Sequence, residues 1–293
     1  MPGSKLLGSW IADACIWAVL LLLTALCLLP LLNMVSISFS NSAAAQANQV
    51  GLLPVDFNLN SYQLLVEDSQ FWRSFMISNE RVVLGTALNL LLTVLMAYPL
   101  SKSKKQFGAR NIYMNIMIFA MLFSGGMIPI FMVVKSLGLM DTIWSLILPG
   151  AVPIFNVILL MNFFKSIPES LEEAAIVDGA TKLEILFKVY LPISLPALAT
   201  IGLFSIVGHW NDYFSGLLYM SSSANYPLQT YIQQLSIDVT QITDPNQLKN
   251  LAAVSNKTLN AAKIVVSVIP VLLIYPFLQK YFTAGLVIGS VKE

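Results

Sequence analysis

The sequence is poor in residues that do covalent chemistry. It holds one histidine and two cysteines in 293 residues. His209 alone completes neither a histidine metal site nor a nucleophile–base–acid triad. Cys15 and Cys27 share one apolar run, twelve positions apart. That is about 18 Å of helical rise, beyond disulfide reach, so they read as lipid-facing or packing residues. No glycine-rich phosphate cradle ending in Gly-Lys-Ser/Thr is present. What remains is polar chemistry set in apolar surroundings: Glu80 with Arg81, Asn156, and the run His209, Trp210, Asn211, Asp212. Such groups are costly in an apolar medium and usually face a cavity or a partner. They can hydrogen-bond a polar solute, and Trp210 can stack on a ring. The competing readings are structural: an interfacial ion pair for Glu80 and Arg81, a helix–helix hydrogen bond for Asn156, and packing for the His209–Asp212 cluster.

The surroundings are set by composition. Hydrophobic residues make up 57% of the chain and charged residues 11%, against roughly 25% charged in ordinary soluble proteins. A soluble fold could not hide that apolar surface, and a bilayer can. The net charge of +1 gives no electrostatic case for nucleic acid. Six runs are long enough to cross a membrane at about 20 residues each: about 14–39, 74–100, 112–134, 143–164, 193–220 and 259–282. None alternates as a barrel strand would, so all six are expected to be helices in a single membrane domain, 1–293. Ser124-Gly125-Gly126, in the third run, permits close helix packing or a local break. Two polar outer loops are expected, about 40–73 and 221–257.

Basic residues orient the chain. Lys5, Lys102, Lys104, Lys105, Arg110, Lys165, Lys182, Lys188, Lys280 and Lys292 fall on one side; Arg73, Lys135, Lys249, Lys257 and Lys263 fall on the other. Ten against five places the first side, and both termini, in the cytoplasm of a multi-pass inner-membrane protein.

One loop on that side, about 165–192, is more specified than a connector needs to be. Pro168 suits the first turn of a helix, and Glu169, Glu172 and Glu173 suit its positive end. Gly179 can provide a left-handed stop. Thr181 and Glu184 form a capping box for a second helix, and Leu191-Pro192 closes the unit. Ala174 and Ala175 let another surface approach closely. The pattern predicts a rigid helix–turn–helix outside the membrane. A helix lying on lipid headgroups is the alternative.

Glu173-Ala174-Ala175, three residues, Gly179, nine residues, Val189, one residue, then Leu191-Pro192 resembles the EAA loop of ABC importer permeases. Val189 stands where that family has isoleucine. Asp178-Gly179-Ala180 resembles the version common in sugar permeases. Ala97-Tyr98-Pro99-Leu100, Trp210-Asn211-Asp212 and the 285–292 tail GLVIGSVK are similar to the carbohydrate branch. Phe123-Ser124-Gly125-Gly126 with Ile128-Pro129 looks most like importers of complex or uronate-containing oligosaccharides, such as alginate importers. The charged pair after Asn79 departs from the branch. The resemblance implies an all-α, type I permease fold with six transmembrane helices. It also implies a non-catalytic subunit that forms half of a sugar pathway and works by alternating access. Glu172, Glu173, Ala174, Ala175, Asp178, Gly179 and Ala180 would contact the ATPase. Asn156, His209, Trp210, Asn211, Asp212, Glu80 and Arg81 would line the path. The implied partners are a second permease, two ATPase subunits that carry ATP and magnesium, an external solute-binding protein and an oligosaccharide, with no cofactor on this subunit. Arg81 would offer a cation to an acidic sugar. An ion-coupled secondary transporter would instead show inverted repeats, and an intramembrane enzyme would show a catalytic dyad or metal ligands.

Overall fold

A computed structural model of the chain describes residues 7–234 and 256–290. Lys5, Lys249, Lys292 and residues 235–255 of the second outer loop lie outside the described residues. The described residues are helical, with no strand among them. The chain packs as two compact units, one drawn from residues 1–69 and 235–268, the other from 70–234 and 269–293.

In the first unit, α1 (Leu7–Ser38) presents an apolar window with none of its residues buried, as suits a helix whose solvent is hydrocarbon. Its C-terminal turns are polar on one side and hold the following loop. Asn33 Nδ2 donates to the carbonyls of Val50 and Gly51, and Ser36 Oγ to that of Leu52. Two short helices follow, α2 (Ser42–Gln46), capped by the Asn41 side chain, and α3 (Asn60–Glu67). Lys263 is buried and paired with Asp68 at 3.3 Å.

The second unit is built on α4 (Ser69–Ser101). Its buried positions include Ser74, Ser78, Arg81, Gly85, Asn89 and Thr93, one polar stripe with a period near 3.6. Its apolar residues Met76, Val83, Leu91 and Leu95 face outward. Around it lie α5 (Arg110–Leu122), α6 (Met127–Ser136), α7 (Ile143–Ile147), α8 (Ile154–Lys165), α9 (Glu169–Val177), α10 (Lys182–Ile185), α11 (Leu191–Ile193), α12 (Leu195–Asn211), α13 (Phe214–Tyr219) and α14 (Leu228–Gln233). The last helix, α15 (Asn256–Ser290), runs from the first unit into the second. One apolar core joins Ala97, Leu160, Phe164, Ile185, Leu186 and Ile201.

By length and composition three helices suffice to cross a bilayer, or six if each of three bent pairs is one span. The six apolar runs are therefore present, but three of them are not the continuous helices expected. The third run bends by 113° between α5 and α6, where Gly126 takes φ +87°. The fourth bends by 50° before α8; Pro153 lacks the N–H that would continue the ladder. The fifth begins after an 82° bend at Ser194 and is interrupted again at Asp212, which is extended. Leu191-Pro192 does not close the loop unit; α10 continues through one wider turn, Leu186–Tyr190, into α11.

Candidate functional site

The loop helix α9 is short, and its ends are chemically fixed. Pro168 precedes it in an extended conformation, as its N-cap rather than in its first turn. Glu169 and Glu172 occupy the first turn, where negative charge favours the helix dipole. At the other end Gly179 has φ +78°. The Ala180 N–H donates to the Ala175 carbonyl at 2.9 Å, and the Gly179 N–H to that of Ile176 at 3.0 Å. This paired closure is the Schellman motif. A Cβ at Gly179 would meet nothing within 4 Å, so the demand for glycine is one of backbone angle and not of space. Thr181 and Glu184 then form the expected capping box.

Glu172 ties α9 to the end of α4. Its Oε2 accepts from Lys102 Nζ at 2.7 Å and from the Tyr190 hydroxyl at 2.7 Å. The ammonium lies over the rings of Tyr98 and Tyr190, 4.2 and 4.1 Å from their centroids, a cation–π arrangement. Burial alone would raise the Glu172 carboxyl, but the bonds from Lys102 and Tyr190 prevail and hold it below its ordinary value. Burial lowers Lys102, with Glu172 opposing the shift. Lys102 reads in the sequence as a topology determinant, and its role as a strut is a finding of the structure. Its place straight after α4, with Tyr98 one turn earlier, was the available signal. Of the two alanines, Ala174 is exposed, while Ala175 packs against the core. Glu173 and Asp178 are exposed, and Ile176 and Val177 present apolar surface, 55% and 87% exposed.

A second site lies inside the second unit. A cleft of about 350 Å³ is lined by residues of α4, α8 and α12 and of the break before α8, among them Arg81, Asn89, Asn156, Ser205, His209 and Asp212. Four of the residues expected to line a path are thus brought together: Asn156, Arg81, His209 and Asp212. The other three are not. Glu80 is exposed on another face of α4, a step of about 100° from Arg81. Trp210 is buried and meets Phe75 edge-on at 5.8 Å, and Asn211 is exposed away from the cleft lining.

The guanidinium of Arg81 is almost fully used. It pairs with the Asp212 carboxylate, donates to the Asp212 carbonyl at 2.9 Å and donates to the Leu146 carbonyl at 3.2 Å. Arg81 is therefore not the free cation the sequence suggested. A buried arginine needs a counter-charge, and Asp212 supplies it. Asp212 also accepts from the Ser215 hydroxyl at 2.6 Å. One helical stretch along α4, Asn89 donates to the carbonyls of Gly150 and Ala151, each at 2.9 Å. Its Oδ1 lies 2.9 Å from His209 Nε2. Since the amide nitrogen is committed to donating, the imidazole Nε2 carries the proton. The ring rests on Gly85, where an added Cβ would come within 2.5 Å of it. Asn89, Ser205 and Ser215 were missed in the sequence. The spacing 81, 85, 89 on α4 and 205, 209 on α12 is the signal for the first two, about one turn per step; Ser215, on α13, has no such signal.

An all-α protein with broken spans, polar groups enclosed between them and a capped helix held at the end of α4 has the architecture of a transporter's membrane subunit. The chain belongs to the family of binding-protein-dependent transport system inner membrane components, which its residues 89–287 match. It is similar to the polygalacturonan/rhamnogalacturonan transport system permease protein YtcP of Bacillus subtilis, 42% identical over 96% of this chain and 98% of the relative. It is also similar to protein LplC of the same organism, 43% identical over 92% of this chain and 90% of that one. Among solved structures it resembles a chain of a bacterial ABC transporter involved in the import of the acidic polysaccharide alginate. The TM-score is 0.87 and the identity 35%, over 96% of this chain and 99% of that one. The protein is thus a permease of the ABC importer class, which sets aside the ion-coupled and intramembrane-enzyme readings.

Proposed function

We propose that this chain is one of two permease subunits in an ATP-driven importer of acidic, uronate-type oligosaccharides. Its likeness over nearly the whole chain to the alginate importer subunit carries this reading, and the pectin-type cargo named for YtcP agrees in chemistry. A second permease completes the pathway, two separate ATPase subunits carry ATP and magnesium, and an external solute-binding protein delivers the sugar. This subunit binds no cofactor of its own. Both termini and the loop that bears α9 face the cytoplasm of a bacterial inner membrane, as the ten-to-five basic asymmetry indicates.

In this reading α9 is the coupling helix. Glu173, Ala174, Asp178 and the apolar Ile176 and Val177 meet the ATPase, while Ala175 and Ala180 fit the helix to its own core. Glu172 acts through Lys102, so that a push on α9 reaches α4 along an ion pair, not along a slack loop. The cleft is this subunit's share of the pathway, and alternating access opens it to one side at a time. The test is uptake of labelled oligosaccharides by the complete transporter in proteoliposomes, with the binding protein outside. Uptake of trigalacturonate or of an alginate trisaccharide, dependent on ATP, supports the proposal. Uptake of neutral maltosaccharides alone would overturn the cargo class.

A further inference from the structure

The cleft has two chemically different halves. In one, nearly every polar group is spent within the fold, the Nε–H of Arg81 excepted. The terminal nitrogens of Arg81 serve Asp212 and Leu146, Asp212 also holds Ser215, and Asn89 joins His209 to the carbonyls of Gly150 and Ala151. In the other half two polar side chains are more than nine-tenths buried and unspent. Asn156 is 5% exposed and Ser205 6%. The Ser205 hydroxyl is buried with no hydrogen-bond partner among the described residues; the Asn156 amide makes no bond among them either, but its polar atoms are not sealed, and both residues line the cleft. A buried hydroxyl is rarely left so, because it costs desolvation without return. It is tolerated where something that visits the cavity completes it, and the open Asn156 amide beside it offers a further donor and acceptor. Beside Ser205, Phe204 is 46% exposed on the lining, and its ring stands 6.4 Å from that of Phe155.

The unspent half carries no net charge. A carboxylate entering it would find the guanidinium already neutralised and the Asp212 carboxylate beside it, which repels. An amide, a hydroxyl and an aromatic face are what a sugar's uncharged part requires: donors and acceptors for hydroxyls, and an apolar surface for the C–H face of the ring. We infer that Asn156, Ser205 and Phe204 form a subsite for the neutral hydroxyl face of a sugar ring, with the acidic groups of the cargo turned away from this wall. The inference rests on the pathway reading above and assigns to this subunit the uncharged part of recognition.

The experiment uses the complete transporter with Cys15 and Cys27 changed to alanine and Ser205→Cys added. Uptake of trigalacturonate by the unsubstituted transporter is measured first, because its absence there counts against the cargo proposal and not against the subsite. The reaction of the introduced thiol with a small thiosulfonate is then timed, with the binding protein empty, loaded with trigalacturonate, or loaded with its methyl ester. The expected result is modification in the empty state, slowed at least fivefold by both sugars. Asn156→Ala should lower uptake of both sugars about five- to tenfold at saturating loaded binding protein, the effect of one lost neutral hydrogen bond. No modification in any state would mean that a partner helix fills the cleft, and would overturn the inference. Protection by trigalacturonate but not by its ester would show that the carboxylates are read here, and would overturn it equally.

Discussion

Arg81 and Asp212 each depend on the other. Arg81 is 2% exposed, so changing Asp212 alone leaves a guanidinium buried without a counter-charge. Asp212→Asn is expected to destabilise by about 3–5 kcal/mol, the usual consequence of breaking a buried pair. Arg81→Met with Asp212→Leu should recover most of that loss, though not the part Asp212 contributes by capping the turn at Ser215. Thermal unfolding in detergent of Arg81→Met, of Asp212→Leu and of the double measures it; simple additivity of the single effects would contradict the pairing. At this scale the sequence is a partial guide. Rarity singled out Arg81, His209 and Asp212, since charge in an apolar run is conspicuous. Adjacency misled for Glu80, Trp210 and Asn211, because neighbours on a helix point about 100° apart. Asn89 and Ser205 were passed over because a lone amide or hydroxyl in an apolar run is ordinary, and only the distant partners in space give it meaning.

The elements that carry these residues are broken helices, and the breaks explain the polar stripe on α4. A span interrupted in hydrocarbon exposes carbonyls that water cannot reach. Asn89 answers those of Gly150 and Ala151 at the break before α8, and Arg81 answers those of Leu146 and Asp212. Asn89→Leu should therefore cost about 1–3 kcal/mol for each carbonyl it orphans. Asn89→Asp, close in size but acceptor-only, should be at least as damaging, and a melting point near that of the unsubstituted protein for the Asp variant would refute this role. The runs themselves were legible from hydropathy, as were the Gly179 stop and the Thr181–Glu184 box, because these are local signals. The bends were less so. Pro153 and Pro196 do mark break points, yet Pro99 lies inside an unbroken α4, so whether a proline interrupts a helix depends on whether its surroundings tolerate the carbonyl four residues earlier that it leaves without a donor.

For the whole molecule, orientation is the first question a transporter poses. In a background free of Cys15 and Cys27, Gln106→Cys should be reached only from the cytoplasmic side and Ser221→Cys only from outside, both positions being exposed. A membrane-impermeant maleimide applied to sealed cells decides it, and labelling at 106 would reverse the topology. As proposed above, α9 passes the energy of ATP to the pathway, and the closest test changes only its stop. Gly179 holds φ +78° with open space around its Cα, so a side chain there acts through backbone strain alone. Asparagine tolerates the left-handed region and valine does not. The measurement is ATP hydrolysis by the reconstituted transporter with empty and with sugar-loaded binding protein. Gly179→Asn is expected to keep the stimulation, while Gly179→Val inserts and keeps its basal hydrolysis but loses stimulation by loaded binding protein. Full stimulation and normal uptake with valine at 179 would contradict the coupling role of the loop.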